Sequence, residues 1–194
     1  MKFASTISKE EIRELPLIVF EGNIHIIDTL EEINEAIARL NKETLLGFDT
    51  ETRPVFRKGI KHKIALVQLS TDTDAYLFRI HKIGLPQGLI SIFENPEILK
   101  IGADNNIDIR GLKHITPFNS KGFKDIQTIA KANAIENLSL RKLTAIVLKK
   151  RLSKRQQLSN WENDELSQGQ LHYAATDAYV CIKIYNALTQ HDNG

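Results

Sequence analysis

The chain has 194 residues, of which 42% are hydrophobic and 26% are charged, and its formal net charge is +2. This composition is typical of an ordinary globular protein. It excludes a disordered chain and a molecule that is basic throughout, so any surface for nucleic acid must be local. The single cysteine, Cys181, excludes a disulfide framework and a thiolate metal cage, and we expect it to be buried as a small apolar side chain.

No segment of the sequence is typical of a signal peptide or a membrane helix. Residues 1–5 do not begin a long apolar core, and no stretch approaches the roughly 20 consecutive apolar residues of a membrane span. We therefore expect a cytoplasmic protein, or a nuclear one if its source is a eukaryote, that is not secreted and has no membrane partner.

Helix and strand signals alternate along the chain. Capping boxes at Ser8, Thr29 and Ser167 open three predicted helices. In chain order we predict a short helix after Ser8, short strands at 17–20 and 24–27 joined by a turn, a helix at 30–41, a strand at 44–49, a hairpin of strands at 64–69 and 75–78, a helix at 85–93, a strand at 98–102, a helix at 105–114, a strand at 123–126, a helix at 128–134, and two closing helices after Ser139 and Ser167. This alternation predicts a single three-layer α/β domain over 1–194 with a mixed sheet.

Two acidic residues follow the buried strand predicted at 44–49. Asp49 and Glu51 are separated by one residue, so a continuing strand projects both from one face while Thr50 points away. The two carboxylates then share one site. Taken alone, such a pair is more typical of solvated surface acids or helix caps than of a functional site.

Two further acids lie at the ends of predicted elements. Asp108 stands at a strand-to-helix junction, and Asp177 lies one helical turn after Tyr173, on the same stripe of the last helix. Clustered carboxylates repel one another unless cations neutralise them, and hard oxygen ligands suit Mg²⁺ or Mn²⁺ rather than zinc. A two-metal site for phosphoryl transfer has this requirement.

Three segments, in this order, resemble the exonuclease motifs of the DEDDy 3′-to-5′ exonucleases, the family of ribonuclease D and of the proofreading domain of DNA polymerase I. The segments are 47–52, Ile101 and Gly102 with Asp108 and Leu112, and 173–179. The likeness covers about residues 25–190, and residues 53–56 with Gly59 resemble most the Werner syndrome exonuclease branch. The resemblance implies a ribonuclease H-like three-layer α/β fold with a mixed five-stranded sheet flanked by helices. It also implies release of nucleoside 5′-monophosphates from a 3′ end.

The resemblance further implies which residues form the site. Asp49, Glu51, Asp108 and Asp177 would hold two divalent cations, Mg²⁺ or Mn²⁺. Tyr173 would orient the attacking water by hydrogen bonding, for which a phenol of ordinary pKa is sufficient.

Neighbouring residues compete for these roles. His172 stands five residues before Asp177, the distance at which a sister branch of the family carries a catalytic histidine, but we expect it to be an exposed helix residue. We interpret Asp104 as a helix cap, although an additional metal ligand is the alternative. Trp161 is interpreted as a packing residue, with stacking on a base as the alternative.

Nucleic-acid contacts are predicted near the first motif and after the second. The predicted contact residues are Thr50, Arg53, Arg57, Lys58 and Arg110. A second basic cluster comprises Lys149, Lys150, Arg151, Lys154 and Arg155. Basic residues of this kind bind the phosphates of a single strand, and a solvated charged face is the alternative.

The leading hypothesis is a metal-dependent 3′-to-5′ exonuclease whose partner is nucleic acid with a free 3′ end. The Werner-like segment favours DNA over RNA, and no protein partner is named by the sequence. Three alternatives stay open: a catalytically silent nucleic-acid-binding module, an RNA-processing enzyme like ribonuclease D, and a structure-selective endonuclease of the same fold.

Overall fold

A computed structural model describes residues 3–54 and 62–189. Helices and strands alternate in it much as the sequence predicts. Its elements are α1 (Lys9–Glu14), β1 (Asn23–Ile27), α2 (Leu30–Leu40), β2 (Leu45–Thr52), β3 (Ile64–Ser70), β4 (Asp74–Phe78), α3 (Ile80–Ile83), α4 (Gln87–Glu94), β5 (Leu99–Gly102), α5 (Asn105–Ile115), β6 (Phe123–Asp125), α6 (Ile126–Ala132), α7 (Leu140–Leu148) and α8 (Gln168–Thr189).

The strands form one mixed sheet in the order β1-β4-β3-β2-β5-β6. β3 runs antiparallel to β2 and β4, whereas β1 and β4, β2 and β5, and β5 and β6 pair in parallel. The predicted α/β class with a mixed sheet and flanking helices is confirmed. The sheet has six strands in the described part of the chain, not the five that the family resemblance implies.

The difference in strand number arises near the N-terminus. The sequence predicts two strands joined by a turn, but only the second forms, and it extends the edge of the sheet as β1. Residues 17–20 form one isolated parallel bridge at Leu17 and no strand. An apolar run in the sequence predicts burial but does not predict which element covers it. Phe20 is buried, and its N–H donates to the Thr176 hydroxyl of α8 instead of to a strand.

Two apolar layers cover the two faces of the sheet. On one face, Leu46 and Phe48 of β2 pack with α2, α4 and α5. On the other, Leu45 joins the core that β5 builds with α6, α7 and α8. Cys181 lies in this second core and is 1% exposed, which confirms its prediction as a buried apolar side chain. None of the helices described has the length and apolarity that a bilayer span requires.

Candidate active site

The structure brings three of the predicted carboxylates together beside the sheet. Asp49 and Glu51 lie near the end of β2, and Asp177 lies on α8. One oxygen from each of the three lies within 4.8 Å of the others. Their convergence is what strand alternation predicts for the first two residues, and the packing of α8 supplies the third.

α8 reaches β2 because Gly47 has no side chain. A Cβ atom on Gly47 would collide with the main-chain oxygen of Ala178. Ala174 and Ala178 of the same helix are fully buried, so small side chains let the helix lie close to the strand. Asp177 immediately precedes Ala178, and this close approach therefore sets how near its carboxylate comes to Asp49.

Asp108 comes from α5, and its oxygens lie outside the group that the other three carboxylates form. The hydroxyl of Thr50 donates a hydrogen bond to the Asp108 carboxylate. Thr50 also lines the cleft that contains Asp49 and Glu51, so its pointing away from them stays a prediction from strand alternation. Its side chain holds the fourth carboxylate, and a contact between Thr50 and nucleic acid stays a prediction.

Burial raises the pKa of all four carboxyl groups, and the charges of the other site acids raise those of Asp49 and Glu51 further. Burial is the largest cause at each, and it raises the pKa of Glu51 to about 10, that of Asp177 to about 7 and that of Asp108 to about 6. The pKa of Asp49 is raised well above its usual range by burial and by the charges of Asp177 and Asp108. No ion pair within residues 3–54 and 62–189 involves any of these acids.

The donor set fits one or more divalent cations. Carboxylate oxygens are hard ligands, and three of them converge here with no ion pair to neutralise them among the described residues. A bound cation would stabilise the ionised form of each acid and so offset the burial that raises its pKa. Asp49, Glu51 and Asp177 would hold the cation directly, with Asp108 nearby on α5.

Tyr173 lies one turn before Asp177 on α8 and is half-buried. Burial and the negative charges of Asp177, Glu51 and Asp49 raise the pKa of its hydroxyl. A hydrogen bond from Tyr173 in turn lowers the pKa of Asp177. The phenol is therefore protonated at neutral pH and faces the carboxylates as a hydrogen-bond donor.

The competing residues fall outside the carboxylate group. His172 is exposed, as predicted, and its Nδ1 lies 3.3 Å from the Phe20 oxygen. Trp161 is fully buried among apolar side chains, which confirms its packing role. Asp104 occupies the N-cap position of α5, as predicted, but its side chain makes no capping hydrogen bond, so that interpretation is only half right.

The predicted basic contacts are dispersed. Arg53 is exposed, with one guanidinium nitrogen 3.5 Å from a Glu162 carboxylate oxygen, and the Nε of exposed Arg110 donates to the Asn106 oxygen. Neither residue lines the cleft that contains the carboxylates. Arg57 and Lys58 lie outside the described residues. These four contacts therefore stay predictions.

The cleft beside the carboxylates has a volume of about 510 Å³ and a basic wall that the sequence analysis missed. Four cationic residues line it: Lys9, Arg141, Lys142 and Lys154. Only Lys154 belongs to a basic cluster that the sequence analysis named. The others come from two separate helices, α1 and α7, and no spacing rule connects residues that far apart in the chain.

The fold and the grouped carboxylates define an exonuclease domain. The sequence model of the 3′-5′ exonuclease family matches residues 24–191, and the chain belongs to this family. The mouse bifunctional 3′-5′ exonuclease/ATP-dependent helicase WRN is 33% identical over 184 residues, with 90% of this chain and 13% of WRN covered. A 3′-5′ exonuclease of Arabidopsis thaliana is 32% identical over 198 residues, covering 94% of this chain and 69% of that protein. The chain thus spans only a small part of WRN.

Solved structures share the fold. The Nibbler EXO domain of Aedes aegypti has a TM-score of 0.80 at 26% identity, with 90% of this chain and 91% of that chain covered. RNase D of Escherichia coli has a TM-score of 0.77 at 18% identity, covering 87% of this chain and 44% of that chain. The latter likeness supports the ribonuclease H-like fold alone.

Proposed function

We propose that this chain hydrolyses nucleic acid from a free 3′ end, one nucleoside 5′-monophosphate at a time, with two divalent cations, Mg²⁺ or Mn²⁺. The observation that carries the proposal is the convergence of oxygens from Asp49, Glu51 and Asp177 within 4.8 Å. Family membership supports hydrolysis from the 3′ end. The similarity to WRN, together with the Werner-like residues that follow Glu51, supports DNA as the preferred substrate.

Each acidic residue has a distinct part in this proposal. Asp49, Glu51 and Asp177 would hold the cations, with Asp108 contributing from α5 through its bond to Thr50. When bound, the cations supply Lewis acidity that eases deprotonation of the attacking water and stabilises the charge that develops on the leaving oxygen.

Tyr173 positions the reacting groups. Its raised pKa keeps the hydroxyl protonated, so it donates a hydrogen bond and does not act as a base. The cleft that Tyr173 lines has a volume within the range of small-molecule sites, which suits the binding of one terminal nucleotide.

The test uses 5′-labelled single strands and recessed duplexes, each made as DNA and as RNA. We expect a ladder that shortens from the 3′ end with Mg²⁺ or Mn²⁺, is absent with EDTA, and is faster on DNA. Asp177→Asn should slow it by on the order of 1000-fold because one ligand charge is lost. Asp72→Asn is the matched control, because Asp72 forms an ion pair with Lys183 and lies outside the cleft.

Three results would contradict parts of the proposal. Strands that shift in a gel but stay intact would indicate a silent binding module. Products from a circular or 3′-blocked strand would indicate an endonuclease. Faster loss of RNA than of DNA would leave the exonuclease in place and overturn the substrate preference.

A further inference from the structure

An N-terminal arm, residues 3–20, forms part of the cleft although it precedes the family match at 24–191. Lys9 and Ile12 of α1 line the same cleft as Asp49, Glu51 and Asp177. Ile12 is 1% exposed and anchors the helix, whereas Lys9 is exposed. The arm therefore brings one cation to the candidate active site from outside the part of the chain that defines the family.

The first half of the arm is fastened to the segment that precedes α7. The Ser5 oxygen accepts a hydrogen bond from the Glu136 N–H at 2.9 Å. The Ile7 N–H donates to Asn137 Oδ1 at 3.0 Å. These bonds lie immediately before α1, so they fix where Lys9 begins the helix.

Arg151 fastens the second half of the arm. Its N–H and its Nε donate to the oxygens of Pro16 and Leu15, both at 2.9 Å, and its own oxygen accepts from the Ile18 N–H at 3.0 Å. Arg151 thus serves as a structural link, and the phosphate contact suggested by its place in the second basic cluster stays a prediction. An arm attached on both sides of α1 is a fixed wall of the cleft.

The cations that line the cleft lack anionic partners. Lys9, Arg141, Lys142 and Lys154 form no ion pair in the part of the chain that the structure describes. The Nε of Arg141 is buried and has no hydrogen-bond partner among the described residues, so the Arg141 guanidinium is not held by another side chain through that atom. The acidic residues of α1 do not line the cleft, so they do not neutralise it.

We propose that Lys9 on the arm and Arg141 on α7 bind the phosphodiester backbone of the single strand whose 3′ end enters the carboxylate site. The inference rests on the proposed function. A polyanion that approaches four carboxyl groups needs cations along its path, and phosphate contacts position a strand without reading its sequence. Contacts of this kind serve DNA and RNA alike, because both carry the same backbone phosphates.

The test measures binding of 5′-fluorescent oligo(dT) and oligo(U) by anisotropy in EDTA, where no cleavage is expected, over a series of KCl concentrations. Lys9→Glu should weaken binding of both strands roughly threefold to tenfold and reduce the slope of log affinity against log salt by about 0.7. Arg141→Gln should act in the same direction. Lys9 is the first residue of α1, where a glutamate suits the helix dipole, and a thermal melt checks that the variant is folded.

Arg13→Glu is the matched control. Arg13 lies on the same helix, is exposed and does not line the cleft, so the same change of charge there should leave the affinity and the salt slope unchanged. Equal behaviour of Lys9→Glu and Arg13→Glu, with the wild-type chain still binding and shortening strands, would overturn the arm proposal alone. A wild-type chain that neither binds nor shortens strands would overturn the proposed function itself.

Discussion

Two regions of this molecule contain buried ionisable groups, and they differ in how the fold compensates for that burial. In β5, Lys100 is fully buried, and its Nζ donates to the main-chain oxygens of Ile92 and Asn95 at 2.9 and 2.7 Å. Beside β2, the carboxylates of Asp49, Glu51 and Asp177 converge, and none of them forms an ion pair within the described residues. The first charge is satisfied by its own chain, and the second group requires a ligand.

Both arrangements cost free energy, and the pKa values show how. Burial lowers the pKa of Lys100 to about 8 and raises that of Asp177 to about 7, so in each case the charged form is disfavoured. Hydrogen bonds from Lys100 offset part of its cost inside the fold. Hydrogen bonds from Tyr173 and Thr50 offset only part of the cost at Asp177 and Asp108, because the pKa of each stays raised, which makes the candidate active site the destabilised region until cations bind.

The largest effect expected from this comparison is that neutralising a site carboxylate stabilises the protein without metal. The pKa of Asp177 is raised from 3.8 to about 7, so its folded form binds a proton more tightly than its unfolded form. The free energy of unfolding therefore falls as the pH rises from about 4 to 7. Asp177→Asn should raise it in EDTA at pH 8 by about 2 to 4 kcal/mol, and by less at pH 5, in thermal melts.

Asp125→Asn is the control for this prediction. Asp125 caps α6 by accepting a hydrogen bond from the Gln127 N–H at 2.8 Å, and asparagine caps equally well, so its stability should be unchanged. Saturating Mg²⁺ should remove the advantage of Asp177→Asn. An Asp177→Asn protein that is less stable than the wild type in EDTA would show that the carboxylates are compensated after all.

A smaller effect of opposite sign is expected for the buried ammonium. Lys100→Met keeps the length of the side chain but removes the Nζ that donates to the oxygens of Ile92 and Asn95, and among the described residues only the Ile92 oxygen keeps a second donor, the Asn95 N–H at 3.3 Å. The free energy of unfolding should fall by about 2 kcal/mol, measured by urea denaturation. Binding of Mn²⁺ should stay the same, because the Nζ of Lys100 is bonded to the Ile92 and Asn95 oxygens and Lys100 does not line the cleft. Unchanged stability would contradict the contrast between the two regions. It would show that an apolar side chain replaces the buried ammonium without cost, as happens for some buried charges.

The smallest effect concerns the fourth carboxylate. Thr50→Val keeps the shape of the side chain but removes the hydroxyl that donates to Asp108. Affinity for Mn²⁺, measured by electron paramagnetic resonance of the free ion, should fall about tenfold, or about 1.4 kcal/mol, because Asp108 loses its orientation. Thr50→Ser keeps the donor and should restore the affinity. Equal affinities in Thr50→Val and the wild type would show that Asp108 needs no support from β2.

The site was predictable where neighbours in sequence are neighbours in space. Asp49 and Glu51 share a face because side chains alternate along a strand, and Tyr173 and Asp177 share a stripe because they are one helical turn apart. The order of the three motifs then placed the chain in its family. Asp108 was named from the second of these motifs. The hydroxyl of Thr50 that holds Asp108 was instead predicted to contact nucleic acid, because Asp108 lies on another element than Thr50.

Prediction failed where contacts join distant segments. The strand expected at 17–20 is an arm instead, since an apolar run does not say which element covers it. Lys9 and Arg141 line one cleft although 131 positions separate them in the chain. The single-domain organisation, the cellular location and the roles of Arg57 and Lys58 stay predictions.

The sequence by itself determined most of the elements and the α/β class, because strand and helix periodicity are local properties of the chain. The catalytic candidates came from the resemblance of three ordered motifs to a known family. Only the tertiary structure decided how close the carboxylates come and which cations face them. Those distances depend on the packing of α8 against Gly47 and on the attachment of the arm through Arg151. Packing of this kind depends on the shapes of surfaces that meet only in the folded chain.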